Sequence, residues 1–218
     1  MIQAVVFDLD GVILDSERLW DEARRHVVVQ HNGRWRDEAT RAMQGMSSLE
    51  WSTYMRDELA VDLTPDQIID LVVENLLERY HRGLPVVAGA IEAVQRIGQR
   101  WPLALASSSN RVVIDEVLAV PALRGLFRAT VSSEEVPRGK PWPDVYLEAA
   151  RQLNRPPQEC AAVEDSANGI RSALAAGLQL VAIPNRDYPP PSSVLAKAHL
   201  VLASITNLTV ELLDQLDR

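Results

Sequence analysis

The chain has 218 residues, of which 47% are apolar, 24% charged and 5% aromatic. At roughly 150 residues per domain, this length allows one domain or two unequal ones, and the composition excludes a disordered, collagen-like or coiled-coil chain. The formal net charge of -8 argues against general binding to nucleic acid or to an anionic membrane surface. No apolar run approaches the roughly 18 to 20 residues of a membrane span. The single cysteine, Cys160, excludes an internal disulfide and a Cys-rich zinc site. Together with the missing apolar leader, it predicts a cytoplasmic protein.

The first predicted elements are one strand and two helices. Residues 4–10, AVVFDLD, form a short apolar and β-branched run that ends in acid before a glycine, which predicts a buried strand that stops at a turn. Apolar residues at helical spacing over 16–30 predict a helix with Ser16 as its N-cap. The most regular helical pattern follows Thr64 as N-cap and ends at Gly83. No segment between Ser16 and Gly83 has a strand pattern, so this part is expected to be all helical.

Strand and helix patterns alternate after this helical segment. Five further strands are predicted, with the sequences PLALAS, RATVSS, CAAVED, LVAIP and HLVLAS, and helical patterns lie between them. This alternation is typical of a parallel sheet with helices on both faces. We therefore predict an α/β fold with a doubly wound parallel sheet. Residues 1–15 and 84–218 are expected to form its core domain, and residues 16–83 a small all-helical cap domain inserted after the first strand.

Two carboxylates lie at the end of the first strand. Asp8 and Asp10 are two residues apart, so both side chains point to one side, at the edge where ligands bind in parallel sheets. Carboxylates that are crowded in this way need a cation to balance their charge. Taken alone, however, an Asp-x-Asp pair in an acidic chain is more often part of a solvated loop.

Polar groups also follow three later strands. Ser107 and Ser108 offer hydroxyls near a helix N-terminus, which favours a phosphate oxygen, although such serines alone are more often a helix cap. Lys140, stiffened by the proline after it, fits a point charge aimed at a phosphoryl group, although most loop lysines are solvated. Glu164 and Asp165 close an apolar strand, where charge is costly unless a metal or a turn accepts it. Acids, hydroxyls, an amine and acids at successive strand ends together predict one site.

Four segments carry a resemblance to a known family. FDLDGVILDSE, LASSSN, GKPWPDVY and VEDSANGI are similar, in order and in spacing, to the four motifs of the haloacid dehalogenase superfamily, and within it of the β-phosphoglucomutase-like phosphatase subfamily. The resemblance covers nearly the whole chain. The first motif is highly specific, whereas the other three are specific mainly by their order. The helical segment 16–83 is similar to the cap that this family inserts after its first strand.

The resemblance implies a role for each matching residue. Asp8 matches the nucleophile and Asp10 the general acid and base. Ser107, with Ser108 beside it, matches the phosphate-binding hydroxyl, and Lys140 matches the group that stabilises charge.

The resemblance also implies Mg²⁺ as the cofactor. Asp165, with Glu164, matches the acids that hold this ion. The carboxylate of Asp8 and the main-chain carbonyl of Asp10 are expected to complete the set of protein ligands.

The chain departs from the phosphoglucomutase pattern at two places in the cap. Leu19 and Trp20 stand where the mutase has a histidine. The mutase arginine that grips a distal phosphate follows a glycine that aligns with Gly45, but the stretch from Gly45 to Ser48 contains no arginine. Gly45 and Ser47 are nevertheless expected to bind the substrate. Because a mutase must hold a bisphosphate at both ends, the missing arginine favours simple hydrolysis.

The resemblance therefore predicts a Mg²⁺-dependent phosphatase for small phosphorylated metabolites, above all sugar phosphates, with an aspartyl-phosphate intermediate at Asp8. Substrate choice is expected to depend on cap residues such as Glu17 and Trp20. A phosphosugar mutase is the first alternative. A phospho-accepting receiver module is the second, disfavoured because the nucleophile follows the first strand and a helical cap comes next. The phosphorylated substrate is the expected partner, with no nucleic acid and no membrane, and the protein is expected to be a monomer or a weak dimer.

Overall fold

In the computed structural model, which describes residues 1–44 and 46–216, six parallel strands form one sheet. Its strands are β1 (Ala4–Phe7), β2 (Leu103–Ser107), β3 (Ala129–Ser132), β4 (Cys160–Glu164), β5 (Gln179–Ala182) and β6 (Leu200–Val201). Their order across the sheet is β3-β2-β1-β4-β5-β6. The chain runs outward from β1 in one direction and then returns to add β4 on its other side, and ligands bind at such a switch point.

Ten α-helices accompany the sheet in the described part of the chain. Four lie between residues 17 and 82: α1 (Glu17–Gln30), α2 (Ala39–Met43), α3 (Ser48–Asp57) and α4 (Pro65–Arg82). The others are α5 (Ala90–Gly98), α6 (Arg111–Ala119), α7 (Asp144–Gln152), α8 (Ala167–Ala176), α9 (Ser192–Leu195) and α10 (Val210–Gln215). Within the described residues from 17 to 82 there is no strand, as predicted. None of these helices is both long enough and apolar enough to span a membrane.

Both faces of the sheet are covered by apolar side chains. Along β1, Val5 and Phe7 belong to one buried cluster, whereas Ala4 and Val6 belong to a second cluster on the opposite face. Successive side chains of a strand point to opposite faces, so a strand buried on both sides is apolar throughout. Cys160 lies in the second cluster as a packing residue. The predicted doubly wound parallel sheet is confirmed.

The two predicted helix starts before β2 have different outcomes. At α4, the Thr64 hydroxyl accepts a hydrogen bond from the Gln67 amide at 3.3 Å, and the Gln67 side chain accepts from the Thr64 amide, as a capping box requires. Ser16 occupies the predicted N-cap position of α1, and its carbonyl accepts from the Trp20 amide at 3.0 Å, but its side chain does not cap the helix. Ser16 has helical backbone angles and makes no side-chain cap bond, because its hydroxyl donates to the Asp10 carboxylate instead.

Candidate active site

The carboxyl ends of three neighbouring strands bring the predicted site residues together. The parallel register pairs Phe7 of β1 with Val163 of β4, so the next residues, Asp8 and Glu164, lie side by side. Ser107 is the last residue of β2, on the other side of β1. The sheet therefore brings Asp8 together with residues that are 99 and 156 positions further along the chain, Ser107 and Glu164.

Lys140 is the buried cation of this site. Its Nζ atom lies 2.7 Å from Oδ1 of Asp8 and 2.6 Å from Oε1 of Glu164, and its side chain is 2% exposed. Burial by itself lowers the pKa of the Lys140 ammonium. The two carboxylates outweigh that effect and raise the pKa above its ordinary value. Lys140 is therefore a fixed positive charge between two acids.

Three buried carboxylates surround this one ammonium group. Oxygen atoms of Asp8, Glu164 and Asp165 all lie within 4.8 Å of one another. Burial raises the pKa of Asp8 and of Asp165 well above the ordinary range, and repulsion by Glu164 raises both further. When all three carboxylates are ionised, they carry more negative charge than Lys140 alone can balance.

The two adjacent acids at the end of β4 differ in their bonding. Glu164 accepts hydrogen bonds from the Tyr146 hydroxyl at 2.9 Å and from the backbone amides of Asp165 and Ser166 at 3.0 and 3.1 Å, besides its contact with Lys140. Among the described residues, no side chain or amide donates to the Asp165 carboxylate, although Asp165 is only 2% exposed. A buried carboxylate without a donor is costly unless a cation binds it. The cluster therefore fits a divalent metal ion held by oxygen ligands.

Two glycines allow the acids to sit where they do. Gly11 has φ +85°, and a Cβ atom at this position would overlap the Asp165 carboxylate. A Cβ atom at Gly169 would likewise overlap the carboxylate of Glu164. Glycine is required at both positions because the backbone approaches a carboxylate closely.

The carboxylate of Asp10 is oriented by donors from two parts of the chain. From α1, the Trp20 indole donates to it at 3.1 Å, and the Ser16 hydroxyl donates to the same oxygen. From the loop after β2, the Ser109 hydroxyl donates to the other oxygen at 2.5 Å, and Ser107 lies at the limit of bonding distance, 3.5 Å. Asp10 stands beside the buried acid cluster and is not one of the three grouped carboxylates.

The three serines after β2 occupy different surroundings. Ser107 is fully buried, and its hydroxyl accepts from the Ser109 amide at 3.0 Å. Ser108 and Ser109 line the cavity above the acids. The Ser108 hydroxyl is buried and has no hydrogen-bond partner among the described residues. The structure thus places Ser108 and Ser109 at the cavity, and Ser107 behind them.

The opposite wall of this cavity comes from α1, from α3 and from Met46 in the loop before α3. Glu17, Trp20, Arg24, Met46 and Trp51 all line it. Burial raises the pKa of the Glu17 carboxyl to about 7, although the neighbouring Arg24 guanidinium lowers it. The cavity volume is about 40 Å³, room for roughly three water molecules. The space between the helical residues and the strand ends is therefore narrow.

The other two predicted cap residues lie less favourably for substrate binding. Gly45 lies outside the described residues. Ser47 caps α3, where its amide and hydroxyl both bond the Glu50 carboxylate, at 2.8 and 2.7 Å. It is not among the residues that line the cavity; the neighbouring Met46 is.

Sequence reasoning missed three residues of the site: Arg24, Trp51 and Tyr146. One of them has a signal in the sequence, because Glu17, Trp20 and Arg24 are spaced i, i+3 and i+7 and so share one face of α1. Trp51 comes from α3, and nothing in the local pattern shows which way that helix faces.

Known proteins similar to this chain are mostly phosphatases by name. A family model described as haloacid dehalogenase-like hydrolase matches residues 2–177. Hexitol phosphatase B of Escherichia coli strain K12 is 31% identical over 222 residues, which cover 96% of this chain and 96% of that protein. The phosphorylated carbohydrates phosphatase of Thermotoga maritima is 29% identical over 181 residues, which cover 83% of this chain and 84% of that protein.

Two solved structures have the same overall fold. CbbY from Rhodobacter sphaeroides in complex with phosphate matches with a TM-score of 0.87 and 25% identity, covering 98% of this chain and 100% of that chain. β-Phosphoglucomutase from Clostridium difficile matches with a TM-score of 0.85 and 21% identity, covering 99% of this chain and 97% of that chain. At this identity, the mutase match is evidence for the fold alone.

Proposed function

We propose, since the chain belongs to the haloacid dehalogenase-like hydrolase family, that it is a Mg²⁺-dependent phosphatase of small phosphorylated metabolites, in particular sugar phosphates. One observation carries this proposal: the buried Asp8 and Lys140 pair lies against Glu164 and Asp165 at the floor of a cavity that Asp10 also lines. The names of the hexitol phosphatase and of the phosphorylated carbohydrates phosphatase support sugar phosphates as the substrate class.

Asp8 is the proposed nucleophile. One of its oxygens accepts a hydrogen bond from Lys140 at 2.7 Å, so the other oxygen is available for in-line attack on phosphorus. The attack forms a bond from Asp8 to phosphorus and breaks the bond to the sugar oxygen, which gives an aspartyl phosphate. Lys140 balances charge on the equatorial oxygens, and the unpaired Ser108 hydroxyl offers them a hydrogen bond.

Asp10 is the proposed general acid and base. It donates a proton to the departing alkoxide in the first step. In the second step it removes a proton from a water molecule, whose oxygen bonds to phosphorus while the bond from phosphorus to Asp8 breaks, which releases phosphate and restores the Asp8 carboxylate. The bonds from Trp20 and Ser109 fix its carboxylate beside Asp8. Positioning and electrostatics therefore account for most of the proposed catalysis.

Mg²⁺ is the cation that we propose for the acid cluster. Asp8, Glu164 and Asp165 would hold it with their carboxylates, and Asp10 with its main-chain carbonyl. When bound, the ion supplies positive charge that stabilises the phosphoryl oxygens.

The decisive experiment is phosphate release from a panel of sugar phosphates, with MgCl₂ and with EDTA. Activity is expected with Mg²⁺ and is expected to disappear in EDTA. The Asp8→Asn variant should remain folded and lose turnover, because the nucleophile is gone. Undiminished activity in chelator would refute the metal assignment, and ordinary turnover by folded Asp8→Asn protein would refute the nucleophile.

A phosphosugar mutase is the second candidate, because the structure brings an arginine, Arg24, into the cavity from α1. The prediction that the mutase arginine is missing rested only on the stretch from Gly45 to Ser48. The test is incubation with β-glucose 1-phosphate and a bisphosphate primer. Release of inorganic phosphate supports the phosphatase, and formation of glucose 6-phosphate supports the mutase.

Residues 16–83 are proposed to act as a cap domain over a core of residues 1–15 and 84–218. The support is that residues of α1 and residues of the strand ends line one narrow cavity, as expected where a cap closes over an active site. Amide hydrogen exchange in α1 and α4 should slow when orthovanadate and Mg²⁺ occupy the site. Unchanged exchange there would contradict a moving cap.

A further inference from the structure

Arg24 is a buried cation that the proposed mechanism does not use. It is 6% exposed, on the helical wall of the active-site cavity. Its Nε atom is buried and has no hydrogen-bond partner among the described residues. No carboxylate of the described chain lies within ion-pair distance of its guanidinium, although Glu17 is close enough to affect its charge. Burying a guanidinium without an acceptor is costly, so this arrangement points to an acceptor that comes from outside the chain.

Two tryptophans hold the Arg24 guanidinium. Its carbon lies 5.1 Å from the centre of the Trp20 ring and 5.3 Å from that of Trp51. The two rings are tilted by 58° with centroids 6.2 Å apart. Aromatic contacts of this kind stabilise the cation through its faces and leave its N–H donors, which lie in the guanidinium plane, for another group.

The chemistry of a guanidinium indicates which group it binds. Its planar fork of donors matches a carboxylate or a phosphate in a bidentate pair. Arg24 offers one positive charge, which one carboxylate balances. A phosphate at Arg24 would bring more negative charge than a carboxylate does close to Glu17 and Asp10, which line the same cavity. The site therefore favours a carboxylate.

We propose that Arg24 is a specificity-determining residue that binds a carboxylate at the far end of the substrate. The substrate class is then a phosphorylated hydroxy acid or sugar acid, with its phosphate at Asp8 and its carboxylate at the Arg24 guanidinium. This inference rests on the phosphatase function proposed above. It narrows that function from sugar phosphates in general to those that carry an acid group.

The test compares two substrates that differ at one carbon. Gluconate 6-phosphate has a carboxylate where sorbitol 6-phosphate has a hydroxymethyl group, and the two are otherwise alike. The wild-type protein should have a kcat/KM for the acid about tenfold or more above that for the alcohol, as for charge-assisted hydrogen bonds in a buried site. In Arg24→Met, the ratio of the two values should fall to about one.

A matched control lies next to Arg24 on the same helix. Arg25 also contacts a tryptophan, with its guanidinium carbon 4.7 Å from the Trp35 ring, but its side chain is 50% exposed and pairs with Asp21. Arg25→Met should keep the substrate ratio of the wild-type protein. The melting temperature separates a binding role from a structural one. Arg24→Met should melt no lower than the wild type, since it removes a buried charge that has no acceptor.

The outcomes distinguish this inference from the proposed function. If no phosphomonoester is hydrolysed, including p-nitrophenyl phosphate, the phosphatase proposal fails and this inference fails with it. If sorbitol 6-phosphate is hydrolysed as efficiently as gluconate 6-phosphate, the phosphatase proposal stands and the carboxylate assignment is wrong. The assignment is also wrong if Arg24→Met lowers kcat/KM for gluconate 6-phosphate and for sorbitol 6-phosphate equally. It is wrong as well if the wild type prefers glucose 1,6-bisphosphate and Arg24→Met does not.

Discussion

Removing the charge of Lys140 tests the description of the buried acid cluster. The Lys140→Met variant keeps much of the side-chain volume and leaves Asp8 and Glu164 without their shared partner, to which the Nζ distances are 2.7 and 2.6 Å. Breaking a buried ion pair by removing one partner costs about 3–5 kcal/mol. In a chain of this length, the melting temperature should therefore fall by about 6–20 °C.

Mg²⁺ should reduce the effect of this substitution. An ion that binds the folded acid cluster stabilises the folded protein, and it does so more strongly where the lysine no longer balances the charge. The thermal shift caused by MgCl₂, measured against EDTA, should thus be larger in Lys140→Met than in the wild type. The difference in melting temperature between Lys140→Met and the wild type should also become smaller at low pH, because the unpaired carboxylates then take up protons.

The assay is thermal unfolding of both proteins in EDTA and in MgCl₂. Lys197→Met is the matched control, because Lys197 is the other lysine of the chain and lies exposed on the surface. It should melt like the wild type in both buffers. A Lys140→Met protein that melts like the wild type in EDTA would show that this lysine does not compensate the buried acids. An equal Mg²⁺ shift in both proteins would show that the cation and the lysine do not balance the same charges.

Three further substitutions test single parts of the site. Gly11→Ala places a Cβ atom on the Asp165 carboxylate in a residue with φ +85°, so thermal melts should show a loss of about 1–3 kcal/mol and a smaller Mg²⁺ shift; an unchanged shift would contradict the close approach. Burial raises the pKa of Glu17 from 4.5 to about 7. Between these two pH values the folded protein therefore binds one proton more than the unfolded chain. The free energy of unfolding should fall by up to about 3 kcal/mol as the pH rises through this range. Urea unfolding of Glu17→Gln should lack this loss, and a constant difference from the wild type between about pH 5 and pH 8 would refute it. Asp10→Asn should release about one nitrophenolate per active site from p-nitrophenyl phosphate and then stall, because no base activates water; in rapid-quench kinetics, equal losses on alkyl and aryl substrates without a burst would contradict this role.

The sheet and its strand ends could be predicted from the sequence because both depend on local patterns. Short apolar runs gave five of the strands nearly at their observed positions, and the residue that follows each run lies at the carboxyl edge of a parallel sheet. The last strand was predicted over HLVLAS but spans only Leu200–Val201. Strand pairing there depends on contact with β5, which composition does not reveal.

The helical wall of the site was predicted less well, because it depends on how separate helices pack. Ser16 has the residue type of an N-cap, yet its hydroxyl bonds the Asp10 carboxylate, a partner that only the folded chain supplies. The sequence shows that Arg24 shares one face of α1 with Glu17 and Trp20. It does not show that this face is buried, because that depends on how Trp51 from α3 packs against it. The stretch from Gly45 to Ser48 contains no arginine, but the folded chain brings Arg24 of α1 into the active-site cavity.

Trp20 contacts both the proposed acid and base, Asp10, and the proposed carboxylate-binding residue, Arg24. Its indole N–H donates to the Asp10 carboxylate at 3.1 Å, and the face of the same ring contacts the Arg24 guanidinium. A group that binds Arg24 therefore fixes the ring that orients the proposed acid and base. Substrate recognition and proton transfer then depend on one side chain of α1, while the nucleophile and the charged cluster belong to the sheet. Because residues of α1 and of the strand ends line this cavity together, we expect the proposed reaction to take place with the helical wall lying over the sheet.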